Sequence, residues 1–282
     1  MTRKAVQQMM LGTVTRSEKE ALDTLRQIKA AGYDGLELNG FMIRPSSLMV
    51  RLLTKAAGMP VGKGGHLDWP NLLKETGLGC VSLHEDLGTV TKDPKSVAKE
   101  AKALGCDQVV ITGMYRFDYG NAEAVKDLAA NLNTQGERLK EEGISLLYHN
   151  HNCEFRKVAP RRTAFDVLVE ETNPEFVNFE FDSYWPTEAG VSALALMEKL
   201  GERLKLYHIN DRGTRVVGPS MTPILKSDSM ELGFGNMNLE ALTRQALKVG
   251  VKAIILESHK NWIDKSPVKS LQVSSKFLNK HL

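Results

Sequence analysis

Short apolar runs alternate along this chain with segments whose apolar positions recur every three or four residues. The runs are QQMMLGT (7–13), DGLELNG (34–40), VSLHED (81–86), CDQVVITG (106–113), ISLLYHNH (144–151), FVNFEFD (176–182), LKLYHIND (204–211) and AIILES (253–258). Helical spacing occupies 17–31, 45–57, 69–76, 95–104, 122–142, 163–171, 189–200, 239–249 and 267–281. Strict alternation of strand-like and helix-like segments predicts an α/β protein, a parallel (β/α)8 barrel forming a single domain over residues 1–282. The strand runs are apolar on both faces, as a sheet covered by helices requires. Glycines such as Gly143 and Gly250 stand where helical spacing stops and supply the left-handed cap.

An open doubly wound sheet would need a phosphate-binding glycine pattern after the first strand, and none is there. GFGNM (233–237) precedes a helix but follows no strand. Two connections exceed a plain crossover, 45–77 and 212–236. The second lies on the side where strands end and carries Val216, Val217, Met221, Ile224 and Leu225. Apolar groups gathered in such a loop predict a lid or a subunit contact, and hence an oligomer.

A chain of 282 residues, 42% of them hydrophobic, can bury one large core. A net charge of +3 is too mild for a nucleic-acid track. No apolar stretch reaches the roughly 18 residues of a membrane span, and MTRKAVQQMM has no signal-peptide apolar core. Cys80, Cys106 and Cys153 show no CxxC spacing. These features predict a reduced, cytoplasmic protein that binds neither membrane nor nucleic acid.

The chemistry is concentrated where strands stop. His84, His149, His151, His208 and His259, with Asp182 and Glu257, all close or follow apolar runs. Titratable groups collected there mark the active-site face of an α/β barrel. If the fifth strand persists, His149 and His151 share a face, with Glu154 just beyond. One histidine at a strand end is commonly structural, and a lone buried carboxylate can be an ion-pair partner. Carboxylates and imidazoles on consecutive strands point instead to a divalent ion, and an oxygen-rich set suits Mn²⁺, Mg²⁺ or Co²⁺.

AGYDGLEL, YHNHNCEF, FDSYW, YHIND, GFGNMNLEAL and LES together resemble the xylose isomerase-like TIM-barrel superfamily of sugar isomerases and epimerases, over essentially the whole chain. The resemblance implies one divalent ion, Mn²⁺ first, held by Glu154, Asp182, His208 and Glu257, with His149 the alternative on the fifth strand. It implies a small carbohydrate or glycoside substrate and removal of a proton α to its carbonyl. His151 is the candidate base, with Glu154 or Glu257 second; His84, His149, Tyr184, Trp185 and Lys260 are candidate substrate contacts. Glu37 is expected to pair with a basic group at the barrel mouth, and Asp211 to orient His208 or a neighbouring loop.

Isomerisation, epimerisation and β-elimination would all use this chemistry. The HNH-x-x-EF segment, the Tyr184–Trp185 pair and the 212–236 loop fit the C-glycoside deglycosidase α-subunit subgroup, which implies a homo- or hetero-oligomer with a small β-rich partner. Two other classes stay open: an endonuclease-type barrel acting on abasic DNA, against which stands Trp185 in place of a histidine ligand, and a non-catalytic binding subunit.

Overall fold

The computed structural model describes residues 1–45, 65–216 and 218–282. Among them eight parallel strands close into a barrel: β1 (Arg3–Gln7), β2 (Gly35–Asn39), β3 (Gly79–Glu85), β4 (Gln108–Ile111), β5 (Ser145–His149), β6 (Val177–Asp182), β7 (Leu204–Ile209) and β8 (Ala253–Leu256). Each pairs with its sequence neighbours, and β1 closes the ring on β8. The crossover helices are α1 (Glu18–Ala30), α2 (Trp69–Thr76), α3 (Pro94–Ala103), α4 (Ala122–Glu141), α5 (Ala164–Glu171), α6 (Ala193–Leu200), α7 (Leu239–Val249) and α8 (Pro267–His281).

Local sequence explains where these helices begin. Ser17, Asp68, Asp93, Asn121, Thr163, Ser192, Asn238 and Ser266 each cap one with a side-chain oxygen that accepts a first-turn N–H. At α7 the stop is Gly250, at φ +78°, a conformation a Cβ would strain.

Three boundaries differ from the sequence pattern. The first strand is Arg3–Gln7, whereas Gln8–Leu11 form a 3₁₀ turn. Met10 and Leu11 are buried in the layer between strands and helices, so their apolarity mimics a strand without a ladder. β5 stops at His149, because the Asn150 side chain replaces the ladder: its Oδ1 accepts from Asp182 N at 3.1 Å and its Nδ2 donates to Asp182 O at 3.0 Å. Within 189–200 only Ala193–Leu200 (α6) is helical; a separate short helix, Tyr184–Glu188, precedes it, with Gly190 at φ +75° between the two. The helix expected over 45–57 falls, beyond Pro45, outside the described residues.

Two apolar layers organise the molecule. The larger packs the outer strand faces against the helices. The smaller plugs the barrel interior with Ala5, Val81, Val110, Leu147, Leu206, Ala253 and Ile255. Two residues farther along β1, β5, β7 and β8, on the same inward face, stand Gln7, His149, His208 and Glu257. The lumen thus turns from apolar to polar toward the strand C-termini, the end where such barrels keep their chemistry. No described helix is long and apolar enough to cross a membrane.

Candidate metal centre and active site

The polar layer is built on His208, from β7, which is fully buried. Its Nδ1 lies 2.9 Å from Glu257 Oε2 and 3.9 Å from Asp182 Oδ2. Its Nε2 lies 2.6 Å from Glu37 Oε2 and 3.2 Å from Glu180 Oε2. Glu180 Oε2 also contacts His84 Nε2 at 2.7 Å and His149 Nδ1 at 3.0 Å. Glu37 is held further by Gln7 Nε2 at 2.9 Å and by the Ser82 hydroxyl at 2.5 Å. A register shift between β2 and β3 sets Ser82 opposite Glu37.

His149, Asp182, His208 and Glu257 therefore bring one donor atom each into a single compact group at the mouth end. A second, deeper group, His84, His149, Glu180 and His208, shares two of these residues. Glu37 does pair with basic groups, the imidazoles of His84 and His208, which lie inside the barrel.

Electrostatics set the two depths apart. Burial opposes charge on His208, but Glu180, Glu37 and Glu257 outweigh it and hold the imidazole well above its usual range. His84 is likewise raised to about 10: burial is overcome by Glu37 and Glu180. Burial would lift the Glu180 carboxyl, yet His208 and His84 keep it well below its usual range. Toward the mouth, burial, with Glu257 beside it, pushes Asp182 up to about 6 in spite of His149 and His208. Two crowded carboxylates with too little positive charge near one of them are what a divalent cation relieves, so the donor set fits such an ion.

Glu154 stands apart from both groups. It is fully buried; its Oε1 accepts from the Tyr148 hydroxyl at 2.8 Å and its Oε2 from His151 N at 2.9 Å. Tyr148 in turn meets the Tyr119 hydroxyl at 2.9 Å. Of the two fifth-strand candidates, His149 is the one within the donor group.

His151 leaves the strand but still stacks edge-on against His149, with ring centroids 4.9 Å apart. Desolvation by packed neighbours, then His149, pushes its pKa down to about 3. Trp185 lies between His151 at 5.5 Å and His259 at 6.2 Å, forming one wall of the mouth. Tyr184 is buried edge-on against Trp185, and its backbone N donates to Asp182 Oδ1 at 2.7 Å. His84 is engaged in the deeper group, and exposed Lys260 pairs with Asp228 at 3.2 Å. Asp211 accepts from the backbone N of Arg212, Gly233, Gly235 and Met237, so it orders the GFGNM loop. A Cβ at position 235 would run into its carboxylate.

Sequence reading passes over Glu180. It sits inside an apolar run, two residues before Asp182, and that spacing is the available signal: both share the inward face. The 212–236 loop folds onto a short antiparallel ribbon, Asp211–Gly213 with Asp228–Met230. Val216, Met221, Ile224 and Leu225 are exposed on it, and Val217 lies outside the described residues.

A closed parallel barrel with carboxylates and imidazoles converging at its strand ends belongs to a recognisable class of proteins. The model of the xylose isomerase-like TIM barrel family matches residues 25–281, and the chain belongs to that family. An inosose dehydratase of Clostridium perfringens is 34% identical over 91 residues, 32% of this chain and 30% of that protein. One from Mesomycoplasma hyopneumoniae is 30% identical over 122 residues, 39% of this chain and 40% of that protein. The alignments thus span well under half the length of these curated relatives. A sugar phosphate isomerase/epimerase from Parabacteroides distasonis superposes with a TM-score of 0.76 at 21% identity, covering 98% of this chain and 93% of that one. The IOLI protein with a zinc atom superposes at 0.67 and 14% identity, covering 100% and 99%. At these identities the structural matches speak for the fold.

Proposed function

We propose that the protein is a divalent-metal-dependent carbohydrate enzyme that removes a proton α to a sugar or cyclitol carbonyl, leading to isomerisation, epimerisation or elimination. The observation that carries this is the convergence of His149, Asp182, His208 and Glu257 at the catalytic end of the barrel. The aligned inosose dehydratases and the epimerase and zinc-containing neighbours support the same class. His149, Asp182, His208 and Glu257 would hold the ion, with Mn²⁺ first and Mg²⁺ or Co²⁺ as substitutes; Glu154, the other fifth-strand candidate, serves the loop. Bound there, a divalent ion supplies Lewis acidity that makes the proton beside a carbonyl easier to remove.

The chain's own residues do the rest. His151 takes the proton: its ring lies against His149, with centroids 4.9 Å apart, and so stands beside the donor group. Glu257 is the second candidate, since its carboxylate lies in the same mouth-end group as His149, Asp182 and His208. Trp185 offers a flat apolar face to a sugar ring or an aglycone, and Tyr184 supports it from behind. In an elimination, His151 would pass the proton to the departing oxygen, which loses its carbon bond as the new double bond forms. In an epimerisation a solvent proton would be delivered to the opposite face, and His151 would release its own to solvent.

The test is a panel of aldoses, ketoses, inososes and 3-keto glycosides incubated with Mn²⁺ in D₂O. Deuterium entering the carbon beside the carbonyl is the expected result, with loss of water or aglycone identifying the eliminations. No exchange on any member, in protein that retains its metal, would overturn the proposal.

A further inference from the structure

Beneath the proposed metal donors lie two carboxylates to which that chemistry assigns no task. Glu37 and Glu180 are both fully buried at the centre of the barrel. Burying a carboxylate costs several kcal/mol unless it is well paired, and here most of the partners are imidazoles. Glu180 Oε2 meets His84, His149 and His208, while its Oε1 is buried with no partner. Glu37 Oε2 meets His208 and His84 as well as Gln7. No lysine or arginine holds either one among the described residues.

The arrangement is directional. His208 presents Nε2 to Glu37 and Nδ1 to Glu257 and Asp182. His149 presents Nδ1 to Glu180, which leaves Nε2 as its nitrogen without that contact. A histidine that gives one N–H to a carboxylate has its tautomer and ring plane fixed, and its remaining nitrogen becomes a better metal donor.

We infer that Glu37 and Glu180 are positioning residues, holding His208 and His149 so that the opposite ring nitrogen of each is offered to the divalent ion. His84 completes the device by bridging the two carboxylates, at 2.7 Å from Glu180 and 3.1 Å from Glu37. This inference rests on the proposed centre, and its test separates the two ideas.

Metal-free protein would be titrated with Mn²⁺ by calorimetry, for the natural chain and for Asp182→Asn, Glu37→Gln and Glu180→Gln. Folding of each is followed by circular dichroism and urea unfolding. We expect one ion in the natural protein, none in Asp182→Asn, and roughly 10–100-fold weaker binding in either Gln variant. The aspartate variant Glu180→Asp should recover part of the loss, because it restores the negative charge.

No binding by the natural chain would end the proposed centre itself. Binding lost in Asp182→Asn but of natural strength in folded Glu37→Gln and Glu180→Gln would leave the centre standing and overturn the positioning role. A lower urea midpoint with unchanged affinity, the mark of a merely structural pair, would overturn it too. Should Glu37→Gln fail to fold, Ser82→Ala removes the 2.5 Å hydrogen bond on the other oxygen of Glu37. It should weaken Mn²⁺ binding several-fold, and natural affinity there would count against the role.

Discussion

His208 and Glu257, from adjacent barrel strands, meet with Nδ1 and Oε2 2.9 Å apart, and this contact sits at the edge where the apolar lumen becomes polar. Both side chains point inward because the β7–β8 register pairs Ile255 with His208, two residues before Glu257. Removing either should therefore remove a donor without touching the core. We expect His208→Ala, Glu257→Ala and Asp182→Ala to lose stoichiometric Mn²⁺ as measured by elemental analysis. A His208→Ala protein that keeps its full metal content would refute the donor set.

Glu154 and His149 should behave differently from one another. Glu154 accepts from Tyr148 and from His151 N, so Glu154→Ala leaves His151 N unpaired and takes from the buried Tyr148 hydroxyl one of its two partners. We expect a stability loss on the order of 1–3 kcal/mol in urea unfolding, with the metal retained. His149→Ala should instead lose metal. The opposite outcome, metal lost in Glu154→Ala and kept in His149→Ala, would make Glu154 the ligand.

His151 is expected to matter for proton transfer and not for metal content. His151→Ala should slow turnover and solvent deuterium exchange by about 10²–10⁴-fold. Exchange at the natural rate would shift the base to a carboxylate, Glu257 first.

Acid should weaken the α5 cap in a definable way. Burial would raise the Asp166 carboxyl, but Lys199 at 2.7 Å and the amide and hydroxyl of Thr163 hold it below its usual range. Its folded pKa thus lies below the unfolded value. The stability it contributes is present above the unfolded pKa, about 3.9, and is lost as pH falls through the folded one. The natural protein should exceed Asp166→Asn in urea midpoint at pH 7, and the gap should narrow as pH falls below about 4. A gap independent of pH would show that charge is not what the residue contributes.

The exposed apolar side chains of Val216, Met221, Ile224 and Leu225 predict a surface that is covered in use, by substrate closure or by another subunit. A homo-oligomer, or a complex with a small β-rich subunit, would bury them. Light scattering should then report more than a monomer for the working assembly, and deleting residues 216–225 should lower either turnover or assembly. A fully active monomer that is indifferent to the deletion would dismiss both roles.

The barrel itself was legible in the order of residues. Buried parallel strands must be apolar on both faces, and amphipathic helices must alternate with them, so the eightfold pattern shows without coordinates. All eight helix caps are Ser, Thr, Asp or Asn directly before the first helical residue, because capping is local. The cluster of titratable groups at strand ends was legible for the same reason: such residues interrupt an apolar run only at a cost.

Tertiary structure decided which of those groups meet. His149 and Glu154 are five residues apart, and nothing local says which joins Asp182, His208 and Glu257. That depends on where β5 stops, and the side chain of Asn150, bonded across to Asp182, stops it at His149. Glu180 was hidden for a related reason. A carboxylate within an apolar strand is informative only once closure of the barrel shows that its face looks onto three imidazoles from β3, β5 and β7. Periodicity is a property of neighbours in the chain, whereas the pairing of charges across a closed lumen is set by register and shear, which no single strand encodes.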